Sequence, residues 1–195
     1  MDHLSFIKEY NNILPLHAVS SLIKFINTVE FNVASVINDT KEDKTEVNTK
    51  VRNTESYALH SHSPSMTNVH YWNLLSSTFA NIINKYRDDC FANAHEPIKF
   101  INDITILKYK TGGFYVPHID HNAEIPRTVS IIYLLNNDYK GGDLVFVDPM
   151  DYTKILKRVK TEPNKLIIWP SNFMYPHGVE NVEEGLRYSI VSWAL

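Results

Sequence analysis

Cysteine is almost missing from this 195-residue chain. Cys90 stands alone, which excludes an intrachain disulfide and with it the stapled scaffolds of small secreted domains. Long apolar runs are missing too: no window approaches the ~18 unbroken apolar residues of a membrane-spanning helix. The opening "MDHLSFIKEYNN" has neither a basic start nor a sustained apolar stretch and does not resemble a signal peptide. These absences predict a soluble, cytoplasmic protein without a membrane partner. There is no Lys/Arg-rich run, and a net charge of -3 with a pI near 6.3 gives no long-range pull toward a nucleic-acid backbone, so nucleic acid is not favoured as a partner. No internal repeat and no low-complexity tract is visible. A G-x-S-x-G element is absent, and Cys90 falls on a helical stretch without an obvious partner, so nothing points to a nucleophilic triad.

What is present is ordinary for a folded chain: 44% hydrophobic and 21% charged residues, enough to bury one sizeable core. A single domain over residues 1–195 is expected, with 1–99 as helical and loop support and 100–195 as the β core. Leu16, Val19, Ile23, Ile26 and Val29 recur at helical spacing and predict a first helix from Leu16 to Val29. Val69, Trp72, Leu75, Phe79, Ile83 and Tyr86 predict a second, from about Asn68 to Asp89, with Trp72 in the core. Between them, β-rich pieces at Phe31 to Ile37 and Val47 to Asn53 flank the charged run "NDTKEDKTE", a hairpin or loop. After Pro97 the period becomes strand-like. "IKFINDITILKYK", "FYVPHIDH", "RTVSIIYLL", "GDLVFVD", "NKLIIWP" and "RYSIVSWAL" are separated by Gly, Pro, Asn and Asp turns, and so many short strands imply a sandwich or a closed double sheet. Gly141 and Gly142 are assigned to a turn that needs positive φ or close backbone approach.

Within "GFYVPHIDH", residues two apart on a strand point the same way, so His118 and Asp120 converge on one face. That is half of a metal site, or else a solvated loop pair. A third ligand is offered by His177, 59 residues after His118. Two histidines and one carboxylate on one face of Fe(II) leave adjacent coordination positions open for a co-substrate and O2; zinc in a hydrolase uses a similar set. Arg187 lies ten residues after His177, near the start of "RYSIVSW", where Arg187 and Ser189 share a face. A guanidinium grips a carboxylate through two parallel bonds, a geometry lysine cannot copy; the alternative is an arginine snorkelling to a sheet edge. His60 and His62 in "LHSHS" form another two-apart pair, with nothing nearby to complete a ligand set, and are assigned to a solvated loop or lid. Trp193 is assigned to packing.

Taken together, "YKTGGFYVPHIDH", "RTVSIIYLLNNDYKGGDLVF" and "PHGVENVEEGLRYSIVSW" resemble the prolyl-4-hydroxylase-like branch of the Fe(II)/2-oxoglutarate-dependent oxygenases, over about Ile104 to Leu195. The resemblance implies an α+β chain with a double-stranded β-helix (jelly-roll, cupin-like) core and N-terminal helices packed on one sheet. It implies Fe(II) held by His118, Asp120 and His177, with 2-oxoglutarate as co-substrate, O2, and ascorbate as an accessory reductant. It places the far carboxylate of 2-oxoglutarate on Arg187, supported by Ser189, with Tyr109 as the tyrosine that reaches the co-substrate; the bland reading of Tyr109 is a packed core aromatic. The chain departs from the family at Leu134, where a co-substrate tyrosine is common and where Tyr133 stands one residue early. A one-residue shift on a strand reverses the face, so Tyr133 is expected to point outward.

The implied reaction decarboxylates 2-oxoglutarate to succinate while hydroxylating a C-H bond, here most readily that of a prolyl residue in a protein or peptide. "NDTKEDKTEVNTK" and "YALHSHSPSMTN" are expected to wall the substrate groove. A hydroxylase of a free amino acid or small metabolite is the alternative enzyme. A sensor that binds metal and 2-oxoglutarate without turnover is the alternative of another class.

Overall fold

The computed structural model describes residues 2–37, 45–91, 101–122, 124 and 126–195. A 3-10 turn, His3–Phe6, leads into strand β1 (Lys8–Asn11) and helix α1 (Leu16–Ile26). The short strands β2 (Asn32–Val33), β3 (Val36–Ile37), β4 (Thr45–Glu46), β5 (Arg52–Asn53) and β6 (Glu55–Leu59) precede the long helix α2 (Met66–Phe91). The second half is β throughout: β7 (Ile101–Tyr109), β8 (Phe114–His118), β9 (Val129–Leu134), β10 (Lys140–Gly141), β11 (Leu144–Asp148), β12 (Asp151–Val159), β13 (Lys165–Pro170), β14 (His177–Val179), β15 (Val182–Glu184) and β16 (Arg187–Ala194).

β3–β4 and β10–β15 pair separately as two-stranded ribbons, and most of the strands form two antiparallel sheets. The larger runs β1-β13-β9-β16-β7-β6-β2 and the smaller β12-β11-β14-β8-β5. The result is a double-stranded β-helix with both helices laid on the outer face of the larger sheet. Central strands of that sheet are buried on both faces, which is why they read as nearly continuous apolar runs rather than as alternation. Alternation still sorts the layers. Ile104, Ile106, Ile131, Tyr133, Leu166, Ile168 and Ile190 pack against Leu22, Ile26, Leu75, Phe79 and Ile83 of the helices. Leu107, Tyr109, Ile132, Leu134, Ile167, Trp169 and Val191 point the other way, into the space between the sheets, where Leu144, Phe146 and Val179 meet them. Pairs of this kind, each side chain removed from water, supply the main stabilising term.

Both helices form where the apolar period places them, with their ends adjusted. α1 stops at Ile26, short of Val29, and its buried stripe is Val19, Leu22 and Ile26, while Leu16 is 75% exposed. α2 begins two residues earlier than expected. Ser65 caps it, its Oγ accepting from the Asn68 backbone N–H. The buried stripe is Tyr71, Leu75, Phe79, Ile83 and Tyr86, with Trp72 partly buried against the same cluster.

One expectation needs correction. "YALHSHSPSMTN" does not wall the groove: Tyr57 to Leu59 belong to β6, paired with β7 inside the larger sheet, and the turn that follows feeds α2. β1, β12 and β6 were not anticipated, because Lys8–Asn11 and Asp151–Val159 carry too many charged and polar residues to stand out as strands. The charged run after Ile37 is flanked by a hairpin, since Val36 and Ile37 pair with Glu46 and Thr45. Its interior, 38–44, and the opening 98–100 of the first long predicted strand lie outside the described residues.

Candidate functional site

His118 ends β8, His177 begins β14, and the two are cross-strand neighbours in the smaller sheet, their ring centroids 4.5 Å apart. Each imidazole is fixed through Nδ1, which lies 3.0 Å from the Val116 carbonyl in His118 and 3.1 Å from the Tyr175 carbonyl in His177. A carbonyl only accepts, so Nδ1 carries the proton in both rings and Nε2 presents a lone pair. Asp120 joins them: its Oδ1 is 3.6 Å from His118 Nε2 and its Oδ2 3.4 Å from His177 Nε2. One ligand atom from each of the three residues falls within 4.8 Å of the others. Among the described residues no other group of His, Cys, Asp or Glu has this geometry; His60 and His62 lie on the turn after β6, away from it.

Strand alternation alone does not deliver Asp120. β8 ends at His118, and Asp120 sits on the bend beyond it. Its carboxylate is held instead from β9. Ser130 Oγ donates to Asp120 Oδ2 at 2.7 Å, and Ser171 Oγ lies 2.7 Å from Ser130 Oγ. Because Ser130 spends its single proton on the carboxylate, Ser171 donates to Ser130, giving a directed chain of buried hydroxyls. Arg127 Nη1 donates to the Asp120 carbonyl at 3.2 Å, which fixes the backbone of the bend. Burial opposes ionisation of Asp120, but its interactions with His177, His118 and the Ser130 hydroxyl outweigh it and hold the carboxyl below the usual carboxylate range. Burial pushes His177 down to about 4, against the pull of Asp120, so it is a neutral base at physiological pH. A carboxylate and two imidazoles whose Nε2 atoms face one point are the donor set a divalent first-row metal requires.

Arg187 reaches the same cavity from the opposite sheet. It is fully buried at the start of β16, directly across from Tyr109 on β7, with its guanidinium 5.0 Å from the Tyr109 ring centroid. Nη1 donates to Ser189 Oγ at 2.8 Å. Nε and Nη2 have no partner among the described residues. Those two N–H groups form one edge of the guanidinium, so the unsatisfied edge is the forked one that accepts a carboxylate. Room for the side chain comes from Gly142, at φ 68°, where a Cβ would stand 3.0 Å from Arg187 Cδ.

The cavity that joins these groups encloses about 380 Å³, within the range of small-ligand pockets. Its closed end is Arg187, Ser189 and Tyr109; its open end is Arg52, Asp103, Arg127 and Trp193. Tyr133 is absent from the lining. It faces the helices, its hydroxyl donating to Asn164 Oδ1 at 2.7 Å, whereas Leu134 takes the inward position. The outward turn expected for Tyr133 is what the register produces. Trp193 does more than pack, since the Arg127 guanidinium lies 3.8 Å over its ring at the cavity edge.

Several site residues were not singled out in the sequence. Tyr115 sits at the wrong parity to share a face with His118, yet the two rings stack at 3.7 Å. A bulge explains it: β14 advances two residues from His177 to Val179 while β8 retreats three, from His118 to Tyr115. Ser171 and Trp169 carried no sequence signal. Ser130 did, three residues after Arg127, but only as part of a spacing and without a role.

Comparison with known proteins shows what the chain is similar to. The sequence model of the 2OG-Fe(II) oxygenase superfamily matches residues 104–195. Over these residues, somewhat under half of the chain, the sequence is similar to that superfamily. The chain is similar to a PKHD-type hydroxylase from Rippkaea orientalis, 33% identical over 102 residues that make up 49% of this chain and 43% of that protein. It is also similar to human prolyl 3-hydroxylase 3, 36% identical over 67 residues, 34% of this chain and 9% of that one. The chain thus spans less than half the length of the curated relatives it matches. Among solved structures, the chain superposes on a prolyl hydroxylase from Trichoplax adhaerens, solved with a hypoxia inducible factor peptide fragment, with a TM-score of 0.71, 19% identity and coverage of 100% of this chain and 86% of that one. A Pseudomonas putida prolyl-4-hydroxylase gives a TM-score of 0.68 at 18% identity, covering 99% and 95%. At these identities the likeness concerns the fold. No helix among the described residues is long and apolar enough to cross a membrane.

Proposed function

We propose that the chain is an Fe(II)- and 2-oxoglutarate-dependent dioxygenase that hydroxylates a prolyl residue of a protein or peptide, residues 1–195 acting as one domain. The observation that carries this reading is the pairing, in one cavity, of a His-Asp-His cluster on one side with an unsatisfied guanidinium edge on the other. His118 Nε2, Asp120 Oδ1 and His177 Nε2 would hold the metal. Bound there, Fe(II) supplies O2 activation, with 2-oxoglutarate consumed to succinate and CO2 as a C-H bond is hydroxylated.

Each protein group has a definable share. Arg187 anchors the far carboxylate of 2-oxoglutarate through Nε and Nη2, and Ser189 holds the guanidinium in the plane that makes both bonds possible. Tyr109, opposite Arg187, offers a phenol at that end, since Leu134 stands where the family often places a tyrosine. Leu134, Ile132 and Val191 keep the co-substrate end dry, which protects the reaction from water and strengthens the charge pairing.

A prolyl substrate fits the open end on hydrogen-bonding grounds. The unpartnered buried atoms there, Arg52 Nε and Arg127 Nε, are donors, as is Trp169 Nε1 deeper in. A proline within a peptide presents carbonyl acceptors and no N–H of its own.

The test is incubation of the purified chain with Fe(II), ascorbate, 2-oxoglutarate and Pro-rich peptides, read by mass spectrometry. Gain of one oxygen on a proline supports the reading. Oxygen gained only on free amino acids moves the substrate to a small metabolite. Succinate release no greater than that of a His118→Ala control, with 2-oxoglutarate still bound, marks a sensor.

A further inference from the structure

Arg52 places a positive charge at the open end of the cavity, and no carboxylate among the described residues pairs with it. Its guanidinium lies 4.7 Å over the Tyr115 ring, and Tyr115 is itself stacked on the metal-site imidazole of His118 at 3.7 Å. Arg52 Nη1 donates to the Ser35 carbonyl at 3.2 Å, while Nε is buried with no acceptor. The neighbouring cation differs. Arg127 is held by the Asp120 carbonyl and the Trp193 ring, and the negative charges of Asp120 and Asp103 act on it.

A buried guanidinium N–H without an acceptor is unfavourable, and a carboxylate is the acceptor that also answers the charge. The bond to Ser35 uses Nη1, which leaves the Nε edge, the fork that matches a carboxylate. One aromatic ring separates that fork from the His118 imidazole. A peptide advances roughly 3.3–3.6 Å per residue, so a side chain one or two residues from the residue at the metal reaches across the thickness of that ring.

We propose that Arg52 binds an acidic side chain of the substrate, an Asp or Glu one or two residues from the hydroxylated position. This rests on the prolyl-peptide reading and adds a sequence requirement to it. Tyr115 serves as the spacer that sets the separation between target residue and acid, and Arg52 selects among prolines by the charge beside them.

The experiment uses the full chain with Fe(II) and 2-oxoglutarate under nitrogen, so that substrates bind without turnover. Two fluorescent Pro-centred peptides that differ only by Glu or Gln at the flanking positions are titrated by anisotropy, with free L-proline as a competitor. The expected result is about tenfold tighter binding of the Glu peptide, a preference that shrinks as salt is raised, falls to near unity in R52Q and is only partly kept in R52K, which retains the charge without the fork. If Arg52 only braced the Ser35 loop, R52Q would weaken both peptides alike and leave their ratio unchanged; that overturns the proposal. So does the absence of any Glu preference in the unmodified chain, or a failure of either peptide to bind while 2-oxoglutarate does. If free L-proline competes as well as the peptides and loses affinity in R52Q, Arg52 takes an α-carboxylate and the side-chain assignment is overturned. Failure to bind 2-oxoglutarate at all sinks the oxygenase reading itself and this inference with it.

Discussion

Arg187 Nη1 donates a 2.8 Å hydrogen bond to Ser189 Oγ, two residues along the same strand, and so turns its remaining forked edge toward the interior. The bond does the work of aiming: a fully buried arginine has many rotamers, and this one is fixed by a neighbour on its own face.

From that geometry, R187Q is expected to weaken 2-oxoglutarate binding by about 100-fold, about 3 kcal/mol, the usual scale for losing one partner of a buried charge pair. R187K recovers little of it, because a point charge does not reproduce the fork. Titration of the metal-loaded chain with 2-oxoglutarate checks both, and equal affinity in R187K and the unmodified chain counts against the bidentate anchor.

The hydroxyl chain from Ser171 through Ser130 to Asp120 predicts a metal-affinity effect at a residue that touches no metal. S130A should raise the metal dissociation constant by about 10- to 100-fold, with the circular dichroism of the fold intact. Mn(II) titration followed by electron paramagnetic resonance reads this without turnover, and an unchanged constant would show that Asp120 needs no help from β9.

Metal occupancy should stabilise the folded state by mass action. At free Mn(II) about 100 times its dissociation constant, stability rises by about 2.7 kcal/mol, seen as a higher thermal midpoint that a chelator reverses. H177A and H118A should lose the increment altogether.

The two tyrosines separate by face. Y133F removes the bond to Asn164 in the helix-facing layer and is expected to lower stability by about 1 kcal/mol with no change in 2-oxoglutarate affinity. Y109F should do the reverse, weakening 2-oxoglutarate several-fold with little loss of stability. Reversed outcomes would mean the sheet faces are misassigned.

Acid should loosen the edge strand β1. Burial tends to raise the Glu9 carboxyl, but the hydrogen bonds and charges of Lys157 and Lys165 outweigh it and lower it below its ordinary value. A depressed folded pKa means that the stabilisation is present above the unfolded value of about 4.3 and is lost as pH falls through the folded one. Denaturant midpoints at pH 7 and pH 3 should therefore converge in E9Q, by about 1 kcal/mol or less given the partial exposure.

Much of this was legible in the sequence, and the reasons differ by residue. The six long strands of the second half announced themselves because apolar, β-branched side chains buried on both faces leave a dense signal. His118, Asp120, His177 and Arg187 were legible as spacings, and the structure brings them to one cavity. Tyr133 could be turned outward by counting parity from Leu134. Tyr115 could not, because a bulge cancels parity and no local residue type marks it. Arg52 and Ser171 act through partners far away in sequence, on Tyr115 and Ser130, and such pairs exist only once the sheets have closed. β1 and β12 were hidden by their charged residues, which edge strands carry on their solvent side.

The imidazoles belong to the smaller sheet and the guanidinium to the larger, so the two ends of the pocket are carried by different sheets. A small diacid bound between them would act as a cross-brace. Amide exchange in β8, β14 and β16 should slow together when it binds, while β1, at the far edge of the larger sheet, keeps its own pace.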